Sequence, residues 1–147
     1  MAANIIEVAP AESDKVYDVF VAEKWYPVNP AGSCDFKAED FHLVPALEEN
    51  EEPFPIVKLD ARAKKLLVNH GFAVAKRFFK EQDELLQKVP RLFTTIVFSD
   101  AAFDTPQGRR VTCLFWSDVH MSWVMVFRIV DDPKGHVTTF DFFPRFN

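Results

Sequence analysis

Ser117, Asp118, His120 and Ser122 interrupt an otherwise apolar stretch, CLFWSDVHMSWVMVFRIVD (113–131). These are residue types of nucleophilic and acid–base chemistry. A Ser–His–Asp triad also needs an ordered relay and an oxyanion hole, which composition alone does not supply. Asp118 and His120 are the candidate acid–base pair. His120 is the more telling of the two, because imidazole changes charge near neutral pH. Turn chemistry offers a competing account. The stretch contains neither glycine nor proline, yet it is far longer than a typical strand of about five or six residues. Two strands must therefore meet among residues 117–121. Ser117 and Asp118 suit that turn, since their side chains bond nearby backbone, and the turn is the preferred reading.

The elements that position these residues are strands rich in β-branched and aromatic side chains: RLFTTIVF (91–98), RRVTCLFW (109–116), SWVMVFRIV (122–130) and HVTTFDFF (136–143). DTPQG and DDPKG separate the first from the second and the third from the fourth at hairpin length. Sequential hairpins predict a four-stranded antiparallel meander. Alternation puts Trp123, Met125, Phe127 and Ile129 on one face of the third strand, and Val124, Val126, Arg128 and Val130 on the other. Both faces are largely apolar, so one should meet a helix. The other needs cover from N-terminal segments, a ligand or a second subunit.

That helix is predicted over 60–89, with Asp60 as N-cap and Pro90 as stop. Leu67, Val74, Phe78, Phe79, Leu85, Leu86 and Val89 share one broad face; Arg62, Lys65, Asn69, Lys76 and Lys80 share the opposite one. Gly71 interrupts the run, but the hydrophobic phase continues across it, which favours one helix, kinked at most. Upstream, NIIEV is a short strand candidate. Residues 12–25 read as helix or strand, with a lean to helix. Residues 35–55 read as an exposed loop carrying the acidic run Glu48 to Glu52, followed by a short strand, FPIVKL.

The expected class is α+β: N-terminal strand and helix segments, then a long helix packed on a curved four-stranded antiparallel meander, in one domain spanning 1–147. This layout resembles the cystatin-like roll, whose ketosteroid-isomerase-like version encloses a pocket. The likeness is topological and carries no function by itself.

Composition narrows the functions. The chain has 147 residues, 48% of them hydrophobic, 16 phenylalanines and a net charge of −5, which suits a single core with no staple. Residues 1–60 hold 4 basic and 13 acidic residues, whereas 61–147 hold 13 basic and 9 acidic. Cys34 and Cys113 form no CxxC pair. His42, His70, His120 and His136 are scattered, with no metal-binding spacing, and no cofactor motif occurs. VNHGF (68–72) is similar to a phrase in iron/2-oxoglutarate dioxygenases, but the HxD motif those enzymes require is missing. No signal peptide or apolar span is present, so a soluble, cytoplasmic protein without a membrane partner is expected.

Three functions compete. The first is a non-enzymatic binding protein that pairs its apolar sheet face with a protein partner or a second copy, using Trp116, Trp123 and the C-terminal Phe146. The second is a pocket protein or enzyme with a small-molecule ligand between helix and sheet, using Asp118 and His120 with Tyr17 or Tyr26. The third is nucleic-acid binding by the cationic stripe Arg62, Lys65, Lys76 and Lys80, which would span about 27 Å of one helix face. A rival account of the stripe lays the acidic run 48–52 across it. Whether the chain is an enzyme stays open at this stage.

Overall fold

The central strands are apolar on both faces, and the chain covers both itself. The computed structural model describes residues 7–8, 24–27 and 36–147. Its elements run β1 (Glu7–Val8), β2 (Tyr26–Pro27), β3 (Phe41–Pro45), β4 (Phe54–Pro55), α1 (Leu59–Lys65), α2 (Phe72–Lys80), α3 (Gln82–Leu85), β5 (Thr95–Thr105), β6 (Gly108–Ser117), β7 (Ser122–Ile129), β8 (His136–Val137) and β9 (Asp141–Phe146). Single 3-10 turns at Ala38–Asp40 and Ile56–Lys58 precede β3 and α1. Of the expected helix or strand at 12–25, residues 12–23 lie outside the described residues, as do Tyr17 and Cys34.

The main sheet has the order β1-β7-β6-β5-β9-β3, with β2 also paired to β5. Only β5 and β9 are parallel among these pairs. β5, β6 and β7 form the expected hairpins. At the first, Gly108 takes φ +121, and Thr105 Oγ1 donates to the Gly108 carbonyl at 2.6 Å. The second turns within 118–121, as the sequence indicates.

One face of β5–β7 presents Ile96, Phe98, Phe103, Leu114, Trp123, Met125 and Phe127 to α2. The opposite face presents Val97, Val111, Cys113, Val124 and Val126 to Ala46, Leu47 and α1. Along β5 the buried set switches from even to odd numbers, from Ile96 and Phe98 to Ala101 and Phe103. A register shift between Phe98 and Ala102 makes the switch. This is a β-bulge, whose extra residues reverse the alternation. Within the core, Thr112 Oγ1 donates to the Ala101 carbonyl at 2.8 Å.

Four expectations are corrected. First, no long helix packs on the sheet: residues 59–85 form three short helices. α1 ends in a Schellman motif, with the Val68 amide donating to Ala63 and the Leu67 amide to Lys64. Val68 and Ala63 are fully buried, which supplies the hydrophobic contact of that motif. The left-handed position is held by Leu67 (φ +58) rather than glycine, so no composition signal marks the stop. Gly71 instead opens α2 from extended backbone. The apolar residues of 60–89 do not share one target. Leu59 and Ala63 pack on one face of the sheet, and Phe72, Ala75, Phe78 and Phe79 on the other.

Second, the meander stops at three strands. β9 lies beside β5, not β7. DDPKG turns, with the Lys134 amide bonded to Asp132 Oδ1 at 2.9 Å, but it delivers the chain to β8, which pairs with β4. Gly135 is required there by close approach: a Cβ would stand 2.8 Å from Ile56 Cγ2. The Gly135 carbonyl also accepts the Ile56 amide at 3.0 Å. A half-buried ion pair then sets the start of β9, where Arg128 Nη1 meets the buried Asp141 at Oδ1, 2.6 Å away. Asp141 also accepts the Thr138 amide at 2.9 Å. Third, the cystatin-like or ketosteroid-isomerase-like roll is therefore not the fold, because both its long helix and its four-stranded meander are missing. Fourth, the supposed loop 35–55 contains β3, an edge strand of the main sheet.

The outer side of β7 at Trp123 is closed by a side chain. Gln82 Oε1 accepts the Trp123 amide at 2.8 Å, and Nε2 donates to the Trp123 and Phe79 carbonyls at 3.0 Å each. One buried amide thus stands in for a neighbouring strand.

Two substitutions check this account. Leu67→Gly relieves a left-handed side chain that is 83% exposed. The unfolding free energy from urea titration should rise by about 0.5–1 kcal/mol after allowing for glycine's freer unfolded chain. Gln82→Met keeps the volume but strands the Trp123 amide and carbonyl in the core. It should cost about 2–4 kcal/mol in the same measurement.

Candidate functional site

Where β5 begins and the β6–β7 hairpin turns, large apolar side chains face solvent together. Leu92 and Phe93 precede β5, while Val119 and Met121 sit in the hairpin turn. All four are exposed, as is Phe140 just before β9. Phe93 and Phe140 stack at 5.2 Å between centroids and 27° between planes. The Arg91 guanidinium lies 3.9 Å over the half-buried Trp116 ring. Trp116 in turn meets the buried Trp123 edge-on at 6.2 Å. Arg91, Phe93, Trp116, Asp118 and Phe140 line one shallow cleft of about 230 Å³.

The backbone here is unusual. Phe93 (φ +57) and Met121 (φ +50) both occupy the left-handed region, which a bulky side chain enters only at a cost of about 1–2 kcal/mol. Phe93 is 72% exposed, so burial does not offset that cost. Leu67 shares this conformation and exposure at the end of α1, so what sets Phe93 apart is its aromatic neighbour Phe140 and the Arg91–Trp116 pair beside it. Aromatic side chains and arginine are also the types enriched at interface hot spots.

The chemistry-bearing residues take supporting roles. Ser117 Oγ accepts the His120 amide at 3.3 Å, as turn formation requires. Asp118 accepts the Trp116 indole N–H at 3.0 Å and so orients that ring. Asp118 and His120 are both exposed in the turn, away from the packed space between α2 and the sheet. They do not form the pocket pair considered above. Tyr26 is exposed on β2, whose partner is the far end of β5.

Other expected binding residues are dispersed. Trp123 is core. Phe146 folds back onto its own domain, packing on Phe36 at 4.7 Å and on His70 at 4.8 Å. The cationic stripe does not exist as one surface, because Arg62 and Lys65 lie on α1 while Lys76 and Lys80 lie on α2, across the sheet. The acidic run lies over the first pair. Arg62 forms a two-pronged bond to Glu51 (2.7 and 2.6 Å) and donates to the Ala46 carbonyl at 2.7 Å. Lys65 reaches Glu48 at 3.4 Å. No apolar sheet face stays open among β5–β7, since residues 46–68 cover the second one.

Alternation and turn propensity carry no signal for the convergence of Arg91, Phe93, Trp116 and Phe140, which lie in segments distant in sequence. Cys113 is buried, and burial pushes its thiol up to about 12, so it is no nucleophile. Among the described residues, no group of three or more His, Cys, Asp or Glu side chains is placed to hold a metal ion. Nor is any helix among them long and apolar enough to cross a membrane. No family model, curated protein or solved structure matches this chain.

The Arg62 bond holds the Glu51 carboxyl down at about 2, from an ordinary 4.5. A depressed carboxylate contributes stability that is present above its unfolded pKa and lost as pH falls through its folded one. Glu51→Gln should therefore flatten the loss of stability between pH 4.5 and 2. Acid titration followed by circular dichroism checks this.

Proposed function

We propose that this protein is a non-enzymatic binding protein that associates with a second copy of itself through the aromatic end of its sheet. One observation carries the reading: Phe93 is held exposed and strained, stacked on Phe140, beside the Arg91–Trp116 pair. Nothing within the fold requires Phe93 to be aromatic, whereas an interface does. Arg91 and Asp118 flank Trp116 with opposite charges, so the patch is complementary to its own two-fold image. Arg91 of one copy would then meet Asp118 of the other.

This moves the docking surface from a sheet face to a sheet end. The pocket reading with Asp118 and His120, and the nucleic-acid reading with the helix cations, have less support. The first pair lies in an exposed turn, and the cations are divided between two faces.

Sedimentation equilibrium across a concentration series tests the proposal. The parent chain should dimerise in a concentration-dependent way. Phe93→Ser combined with Phe140→Ser should weaken the dimer by roughly 30-fold or more, as loss of a hot spot does. Asp118→Arg should weaken it too, and Arg91→Asp in the same chain should restore it. A parent that stays monomeric to near-millimolar concentration overturns the reading, as do variants that associate like the parent.

A further inference from the structure

A second site lies away from the aromatic end, on the α1 face of the sheet. A cleft of about 340 Å³ opens between α1 and the β5 bulge, at the small end of the range for ligand sites, roughly 300–1,000 Å³. Leu59, Ala102, Val111 and Val130 give it an apolar floor. Ser99 lines it from the bulge. This residue is 3% exposed, and its hydroxyl has no hydrogen-bond partner among the described residues. A buried hydroxyl without a partner carries a desolvation cost that a ligand atom can relieve.

The rim holds four charges: Asp60, Lys64, Asp100 and Arg109. The Asp60 hydrogen bond and the Asp60 and Asp100 charges raise the Lys64 pKa while Arg109 opposes them, so all three stand within electrostatic reach of Lys64. Asp100 is a fixed group. Its amide donates to the His70 carbonyl at 3.0 Å, and its Oδ2 accepts from Asn69 Nδ2 at 3.0 Å. The two cations are only loosely engaged: Lys64 pairs with Asp60 at 2.8 Å and Arg109 with Asp104 at 3.2 Å, both in solvent. Exposed pairs of this kind are worth little and exchange readily.

A ligand of one charge sign would gain from half of this rim and be repelled by the other half. A dipolar ligand gains from both halves. We infer that the cleft binds a small zwitterion with an apolar body, such as an aliphatic amino acid. Its carboxylate would lie toward Lys64, Arg109 and the Ser99 hydroxyl, its ammonium toward Asp100 and Asp60, and its side chain on the apolar floor.

Amide chemical-shift titration and calorimetry with leucine test this. Isocaproate, which lacks the ammonium, and isoamylamine, which lacks the carboxylate, serve as single-charge probes. Leucine should shift the amides of Ser99, Asp100 and Arg109 at millimolar concentration, and bind at least about tenfold tighter than either single-charge probe. Ser99→Ala and Arg109→Gln should each weaken leucine by about tenfold. Ser99→Ala removes only a hydroxyl without a protein partner, so the fold is retained and the result stays readable. Absence of leucine shifts, equal binding of isocaproate or isoamylamine, or unchanged affinity in both variants overturns the inference. Association through the aromatic end is a separate measurement and is unaffected by either outcome.

Discussion

The whole architecture follows from three neighbouring strands that are apolar on both faces. Burial of apolar surface stabilises by about 25 cal/mol per Å², so a sheet of this kind is stable only as the middle of three layers. One continuous helix over 59–85 would cover a single face. The chain instead breaks that segment and carries it from one side of the sheet to the other. The connection at 66–71 is held by β5 and β9. The Asp100 amide bonds to His70, Arg145 Nη2 donates to the Leu66 carbonyl at 2.7 Å, and Phe146 packs on His70. β5 and β9 pair only at Thr95–Ile96, and the crossing chain uses the space where they part.

The same constraint settles the last strand. Beside β7 the sheet is already completed by β1 and closed by Gln82, so β9 takes the open side of β5. The Arg128 side chain reaches from β7 to Asp141 at the start of β9 and so ties together two strands that do not pair with each other. An ion pair with one buried member adds little net stability, but removing Arg128 would leave the buried Asp141 carboxylate stranded. The pair therefore acts mainly to select this strand order. Crossing of the chain at Thr138–Asp141 also leaves Phe140 outside the core, next to Phe93.

Both proposed sites lie at the margins of a sheet whose β5–β7 faces are covered. The residues whose types suggest catalysis build a turn and orient a tryptophan, while the strained, unburied aromatics beside them carry the binding argument. Of the charged residues that suggested a nucleic-acid surface, Arg62 and Lys65 attach the acidic segment 48–52 to α1. That cross-chain pairing was one of the alternatives open from sequence, and the Arg62–Glu51 bond realises it.

Local chemistry explains which parts were legible. The hairpins at Gly108 and at 118–121, the double-sided apolar strands and the turn role of Ser117 all follow from side-chain alternation and turn propensity, which act within a few residues; the Asp118 side chain instead bonds the Trp116 indole. The end of α1 at Leu67, the role of Gly135 and the place of β9 do not. Each depends on a partner distant in sequence: the sheet face that receives Val68, Ile56 against Gly135, and Arg128 against Asp141. The meeting of Phe93, Trp116 and Phe140 is of the same kind. The sequence by itself determined that both sheet faces had to be covered and where the β5–β6 and β6–β7 hairpins turn. Only the tertiary structure decided which segment covers each face and which aromatics stay outside, because hydrophobic burial is non-directional and a repeating apolar pattern does not name its partner.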